Sequence, residues 1–398
     1  MYKRQDLVLG QGKFDKNERN LVDGRGFNIP VDVACDVVSS KVAISDSVNH
    51  RILIWNDYNS LVNGARAEII IGQTDEYEYT VNGGSSVCAE GLSGPQGVEF
   101  DGSGNLWVAD TGNHRVLRFS PPFSNGMSAD LVIGQADFVS NQPNRGGSCS
   151  ADTLNMPFSS GFDSSGNLWI ADTGNHRVLR YSPPFSNGMS ADLVIGQADF
   201  VSNQPNRGGS CSANTLYYPT DVAGYAGDKI LVSDSKNHRI LMYNSPFTNG
   251  MSANIVIGQA DFISNCPNRQ CPPSLICPPA QDTLCYPRFI LVDSSNNVWV
   301  SDYGNERVLR YSSPLGTGMP ADLVIGQPDF ETVSCQCEGI CIVSADKLKT
   351  PTGVGMDSAG RLYVVDSTNN RVLGYCLLYT SDAADEGLGV DLGGRRII

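Results

Sequence analysis

The chain has 398 residues and a formal net charge of −14, with 42 Asp and Glu against 28 Lys and Arg. That balance argues against a nucleic-acid partner, which needs a basic face to neutralise phosphates, and against an anionic membrane surface; it suits a cation or a basic partner. No run of 18 apolar residues occurs, so nothing reads as a membrane-spanning helix.

The ends come first in chain order. Tyr2-Lys3-Arg4-Gln5 and Cys376-Leu377-Leu378-Tyr379 can be encoded by one DNA sequence read from opposite strands. The tail through Ile398 fits the continuation of a transposase-type sequencing adapter, which the two ends resemble. Residues 1–5 and 376–398 are therefore expected to be artefactual and to lie outside the fold, and the natural protein to extend past both ends. Residues 6–375 are expected to form a single domain.

Within that domain six segments align: 36–55, 101–119, 163–181, 225–243, 293–311 and 357–375. Equivalent positions recur every 62 to 68 residues, as His50, His114, His176, His238, Glu306 and Asn370 show. A second motif, ending in Gly-Gln, closes at Gln11, Gln73, Gln135, Gln197, Gln259 and Gln327. Residues 101–157 and 163–219 differ at six positions, which implies a recent duplication or an assembly error. A fixed period of this kind marks a repeat architecture.

Each unit reads as four short strands. In the second unit these are Gly97–Phe100, Leu106–Ala109, Arg115–Phe119 and Asp130–Gly134, separated by Asp101-Gly102-Ser103-Gly104, by Thr111-Gly112-Asn113 and by a Pro- and Asn-Gly-containing loop. The runs are almost continuously apolar rather than alternating, as expected for strands covered on both faces. The expected fold is all-β, a six-bladed propeller of four-stranded antiparallel blades. Six fourth strands and six strand triplets are present, but the first fourth strand, Asp6–Gly10, stands alone at the start. It is therefore expected to complete the last blade and remove an open edge.

The string from Asp101 to Phe119, D-G-S-G-N-L-W-V-A-D-T-G-N-H-R-V-L-R-F, resembles the NHL repeat, with Arg in place of the third signature letter. The resemblance covers essentially all of 6–375. It implies the propeller fold, and a family that includes RNA- or protein-binding modules, extracellular sensor domains and an amidating lyase, among which the fold does not choose.

Asp46, Asp110, Asp172, Asp234, Asp302 and Asp366 end the second strands, and Arg51, Arg115, Arg177, Arg239, Arg307 and Arg371 begin the third. A ring of acid–base or metal-ligating histidines beside them is one reading. Repetition favours another: a catalytic group is needed once, a scaffold group in every blade, so these residues are expected to staple their own blades. No G-x-S-x-G, H-E-x-x-H or P-loop is present, and no catalytic residue is assigned.

Inserts such as Ala136–Met156, Ala198–Tyr218 and Ala260–Tyr286 join one blade to the next and should share one face with the Asn-His turns. That face is expected to bind a protein, peptide or glycan, as a monomer or as part of a longer chain. Cys266, Cys271, Cys277 and Cys285, and Cys335, Cys337 and Cys341, lie in two inserts without the paired C-x2-C spacing of zinc ribbons. Two disulfides are expected in the first insert and at least one in the second, which implies an extracellular, periplasmic or cell-surface location. At the channel mouth Asp32, Gln96, Asp221 and Arg288 are candidate ligand-binding residues. No cofactor is expected, although Asp32 and Asp221 face each other across a six-fold ring and could ligate calcium. The leading function is a non-enzymatic interaction module; the alternative is a calcium-dependent hydrolase or lyase acting in the central channel.

Overall fold

Asp110 and Arg115 stand directly opposite each other across a two-strand ladder, and so do their counterparts in every other unit: Asp46↔Arg51, Asp172↔Arg177, Asp234↔Arg239, Asp302↔Arg307 and Asp366↔Arg371. Between them runs one turn of 3-10 helix, Thr111–Asn113 in the second unit, followed by a residue in the left-handed region, His114 at φ 54°. Asn and His tolerate that region better than most side chains, which suits them to this position.

The computed structural model describes residues 2–18, 22–269, 278–333 and 343–378. Six four-stranded antiparallel sheets form the ring of a six-bladed propeller, and five of them run in sequence order from their innermost strand. The second blade, for example, is Val98–Phe100, Leu106–Asp110, Arg115–Phe119 and Leu131–Ile133. The inner and outer strands are thus a residue or more shorter than the sequence suggests. The last blade takes its outer strand from the N-terminus: Tyr2–Leu9 pairs with Arg371–Leu378, matching Leu7 with Gly374 and Leu9 with Val372. That ladder runs past Asp6 and Tyr375, with Gln5 opposite Tyr375 and Tyr2 opposite Leu378. Part of each terminal segment set apart in the sequence therefore continues this outer pair, which backbone hydrogen bonds alone can sustain. No helix among the described residues is long and apolar enough to cross a membrane.

The core lies between blades. One cluster joins Trp107 and Val116 of the second blade to Leu168, Ile170 and Leu179 of the third, and similar clusters fill the other interfaces. Packing on both faces accounts for the continuous apolar runs. The outer strands are sheltered as well. Asn125 Oδ1 accepts from Ile70 N (2.9 Å) and Gly126 N donates to Ile70 O (3.0 Å), so the loop of one blade satisfies the exposed edge of the previous one. The same pair of bonds joins Asn187 and Gly188 to Val132, Asn249 and Gly250 to Val194, and Asn63 and Gly64 to Val8.

Each Asp–Arg pair is fully buried, with Nε to Oδ2 distances of 2.7–2.8 Å and both side chains 0% exposed. In the third blade, Asp172 Oδ2 also accepts from Asn175 Nδ2 (2.7 Å), and its Oδ1 accepts from Asn155 N (2.7 Å). Arg177 donates further to Phe200 O (2.5 Å) in the insert leaving the blade, and to Ser150 O and Thr153 O (2.9 Å each) in the insert entering it. Arg371 does the same for Ser344 O, Lys347 O and, from the other end of the chain, Phe14 O. One rigid five-donor fork thus fixes two inserts to one blade.

Asp172→Ala should therefore lower stability by about 3–5 kcal/mol, because Arg177 would remain buried without its counter-charge and Asn155 N without its acceptor. Asp110→Ala and Asp234→Ala should cost a similar amount. Chemical denaturation would check this; a loss below about 1 kcal/mol would show that the pair is not holding the blade.

Candidate functional site

The histidines beside the staple point across the blade interface. His114 Nδ1 accepts from Met156 N (3.0 Å), His176 Nδ1 from Tyr218 N (3.2 Å), His238 Nδ1 from Tyr286 N (3.0 Å) and His50 Nδ1 from Gly94 N (2.9 Å). Asn370 Oδ1 accepts in the same way from Ile29 N (2.9 Å), which closes the ring. Every recipient precedes the proline that opens the next blade, and each has a positive φ, from 50° to 58° in Ile29, Met156, Tyr218 and Tyr286. A side chain held there is strained unless it is anchored. The histidine is that anchor, and it works only as a neutral acceptor. Glutamine completes the corner: Gln135 Nε2 donates to His114 O (3.1 Å) and Gln142 O (2.9 Å), with Gln73, Gln197 and Gln259 placed alike. The Gly before it needs its freedom, since at Gly134 (φ +91°) a Cβ would lie 2.5 Å from Leu154 Cδ1.

Of the four channel-mouth candidates, Asp32 and Asp221 are tied into neighbouring blades. Asp32 Oδ2 accepts from Val98 N (2.9 Å), and Asp221 Oδ2 from Ile290 N (2.7 Å). Burial raises both carboxyls, Asp221 to about 6. Gln96 Nε2 donates to Ser47 Oγ (2.8 Å) across the first interface. The Arg288 guanidinium lies 4.6 Å from the Tyr303 ring centre and 5.2 Å from that of Phe158. Phe158 and Phe289, with ring centres 5.7 Å apart, are buried beside Val31 and plug the channel at the insert-bearing face. Asp32 and Asp221 therefore sit beneath an apolar plug and not at an open mouth. Among the described residues no group of three or more His, Cys, Asp or Glu is placed to hold a metal ion.

The cysteines correct one expectation. Cys285 is not disulfide-bonded and packs against Gly304, so the first insert does not hold two disulfides; Cys35, Cys88, Cys149, Cys211 and Cys376 are not disulfide-bonded either. Cys285 N is the backbone donor to Asp302 Oδ1 (2.7 Å), which places its side chain at the blade corner and away from the insert tip. Cys266 is disulfide-bonded; Cys271, Cys277, Cys335, Cys337 and Cys341 lie outside the described residues.

The histidine anchors make stability depend on pH. Burial lowers all four imidazoles, His238 to about 4 from an ordinary 6.5. A depressed folded value means that the contribution is complete above about pH 6.5 and is lost as the pH falls through the folded value. The buried acids Glu99 (raised to about 8) and Asp221 act in the opposite sense, losing stability as the pH rises. Comparison with a variant separates the two. His238→Asn should keep the acceptor, as Asn370 does, and flatten the loss of stability between pH 6.5 and 4 by about 2–3 kcal/mol. Equal acid sensitivity in the variant would rule out His238 as the anchor.

Comparison with known repeat families agrees with this geometry. The NHL repeat family model matches residues 92–119, 284–311 and 348–375. No curated protein sequence matches the chain. Among solved structures it is similar to a streptogramin B lyase, 11% identical with TM-score 0.47 over 91% of this chain and 97% of that one. It is also similar to virginiamycin B lyase from Staphylococcus aureus, 10% identical with TM-score 0.44 over 88% and 95%, and to a gluconolactonase from Xanthomonas campestris, 14% identical with TM-score 0.48 over 88% and 87%. At these identities the likeness concerns the fold alone. The chain is a six-bladed β-propeller carrying NHL repeats.

Proposed function

We propose that the protein is a non-enzymatic interaction module that docks a protein or peptide on its insert-bearing face. The observation that carries this reading is the distribution of exposed apolar side chains. Among the described residues, all the large exposed ones except Val37, Val38 and Val62 lie on that face. Val139, Val201 and Ile263 occupy equivalent places in three successive inserts and are 69%, 67% and 73% exposed, and Tyr77 and Tyr79 extend the series. Scattered apolar residues need no explanation, but a repeated arc on one face marks a contact surface. The arginine forks hold these inserts in place, so binding would cost little further ordering.

Peptides selected from a displayed library against the immobilised propeller should lose at least about tenfold in affinity to a Val139→Asp/Val201→Asp/Ile263→Asp variant. Fluorescence anisotropy on labelled peptides would measure it. Binders that ignore all three substitutions would contradict the proposal.

A further inference from the structure

Beside the plug the insert-bearing face carries a cationic patch, against the chain's net charge of −14. Arg288 is the second residue of the fifth blade's innermost strand, Pro287–Val292. Its guanidinium lies against the rings of Phe158 and Tyr303, and the phenols of Tyr303 and Tyr218 are the polar groups that act on its charge. Lys236, in the 3-10 turn Ser235–Asn237 of the fourth blade, is exposed, and its Nζ lies 5.3 Å from the ring centres of both Tyr217 and Tyr218. Tyr218 is thus a neighbour of both cations and joins them in one patch.

Two observations point to a ligand. The first is the missing counter-charge. Among the described residues neither Arg288 nor Lys236 forms an ion pair, whereas Arg145 and Arg269 on the same face have Asp152 and Asp282 as partners. The terminal nitrogens of Arg288 make no hydrogen bond to the described residues and, unlike its Nε, are not shielded from solvent. A guanidinium packed on rings keeps its N–H edge for a planar anion, and a carboxylate fits that edge with two parallel hydrogen bonds.

The second is a break in the repeat. A residue needed by the scaffold recurs in every blade, but the other blades have Ser or Thr at the Tyr303 position and no Lys or Arg at those of Arg288 and Lys236. In the second and third blades that hydroxyl stitches one blade to the next: Thr111 Oγ1 donates to Pro157 O and Thr173 Oγ1 to Pro219 O, at 2.6 Å each. Tyr303 forgoes this bond and lays its ring against Arg288. Losing a buried hydrogen bond and leaving a partly buried cation unpaired both act against stability. A partner that brings the anion accounts for both.

We propose that Arg288 and Lys236 receive an Asp or Glu side chain of the peptide that docks on this face, with Phe158, Tyr218 and Tyr303 packing around it. The proposal rests on the reading of the face as a docking surface and adds the charge that the peptide must carry.

Peptides selected from a displayed library against the whole chain, then synthesised as C-terminal amides so that only side chains supply carboxylates, test this by fluorescence anisotropy. In each, one Asp or Glu should be decisive: its replacement by Asn or Gln should weaken binding to the wild-type protein at least about tenfold. Lys236→Gln/Arg288→Gln should bind the parent and the replaced peptide alike, and Lys236→Glu should prefer a peptide with Lys at that position. Lys236 is exposed, so its single variant decides the matter even if the double variant does not fold. Binders without an acid, binders indifferent to its replacement, an unchanged preference in Lys236→Glu, or a selection that yields no peptide would each overturn the proposal. The docking reading fails separately: acid-dependent peptides that ignore Val139→Asp/Val201→Asp/Ile263→Asp would support the cationic patch and reject the apolar arc, and acid-independent peptides that lose affinity to that variant would do the reverse.

Discussion

A carboxylate and a guanidinium with no access to water are tolerable only when every polar atom finds a partner. The six Asp–Arg pairs meet that condition by recruiting backbone, and the requirement organises the molecule. Asp172 gathers Asn175, Arg177 and the backbone of Asn155 around one carboxylate, while Arg177 reaches carbonyls on both sides of its blade. The pair is thus less a stabilising ion pair than a template, since the charges demand ligands and the inserts supply them. At the last blade the demand is met by Phe14 O from the other end of the chain, so the constraint that shapes each blade also closes the ring.

The repeat unit, the blade count and the closing strand can be read from the sequence because they are local or additive: turn residues at fixed offsets, strands with both faces apolar, and a fourth strand left over at the start. The Asp–Arg register can be read because the two residues are five apart on a single hairpin. What cannot be read depends on distant partners. The histidine signature gives no sign that its acceptor serves a backbone group in the next blade, 42 residues on from His114 to Met156 and 48 from His238 to Tyr286. The recurring Gln was visible as a motif, and its invariance through six units was the clue that it holds a corner. Likewise Asn63, Asn125, Asn187 and Asn249 fall 62 apart, a spacing that could have revealed the loops guarding the outer edges.

The cysteines show the converse failure. Proline-rich surroundings suggested two disulfides within one insert; Cys266 is disulfide-bonded, but Cys285 belongs to the Asp302 corner, and its backbone role decides where its thiol lies. The channel mouth misled for a similar reason. Asp32 and Asp221 do occupy matching places, yet the aromatic residues Phe158 and Phe289 of two other blades seal that end.

If the carboxylate template is the organising constraint, the loop amides bound to it should be as slow to exchange as the blade cores. Hydrogen–deuterium exchange resolved by residue measures this at Asn155, Tyr217 and Cys285, whose N–H groups meet Asp172, Asp234 and Asp302 at 2.7 Å. The account predicts protection equal to that of Leu179, Leu241 and Leu309 in the neighbouring third strands. Exchange at the rate of the surrounding loop amides would contradict it.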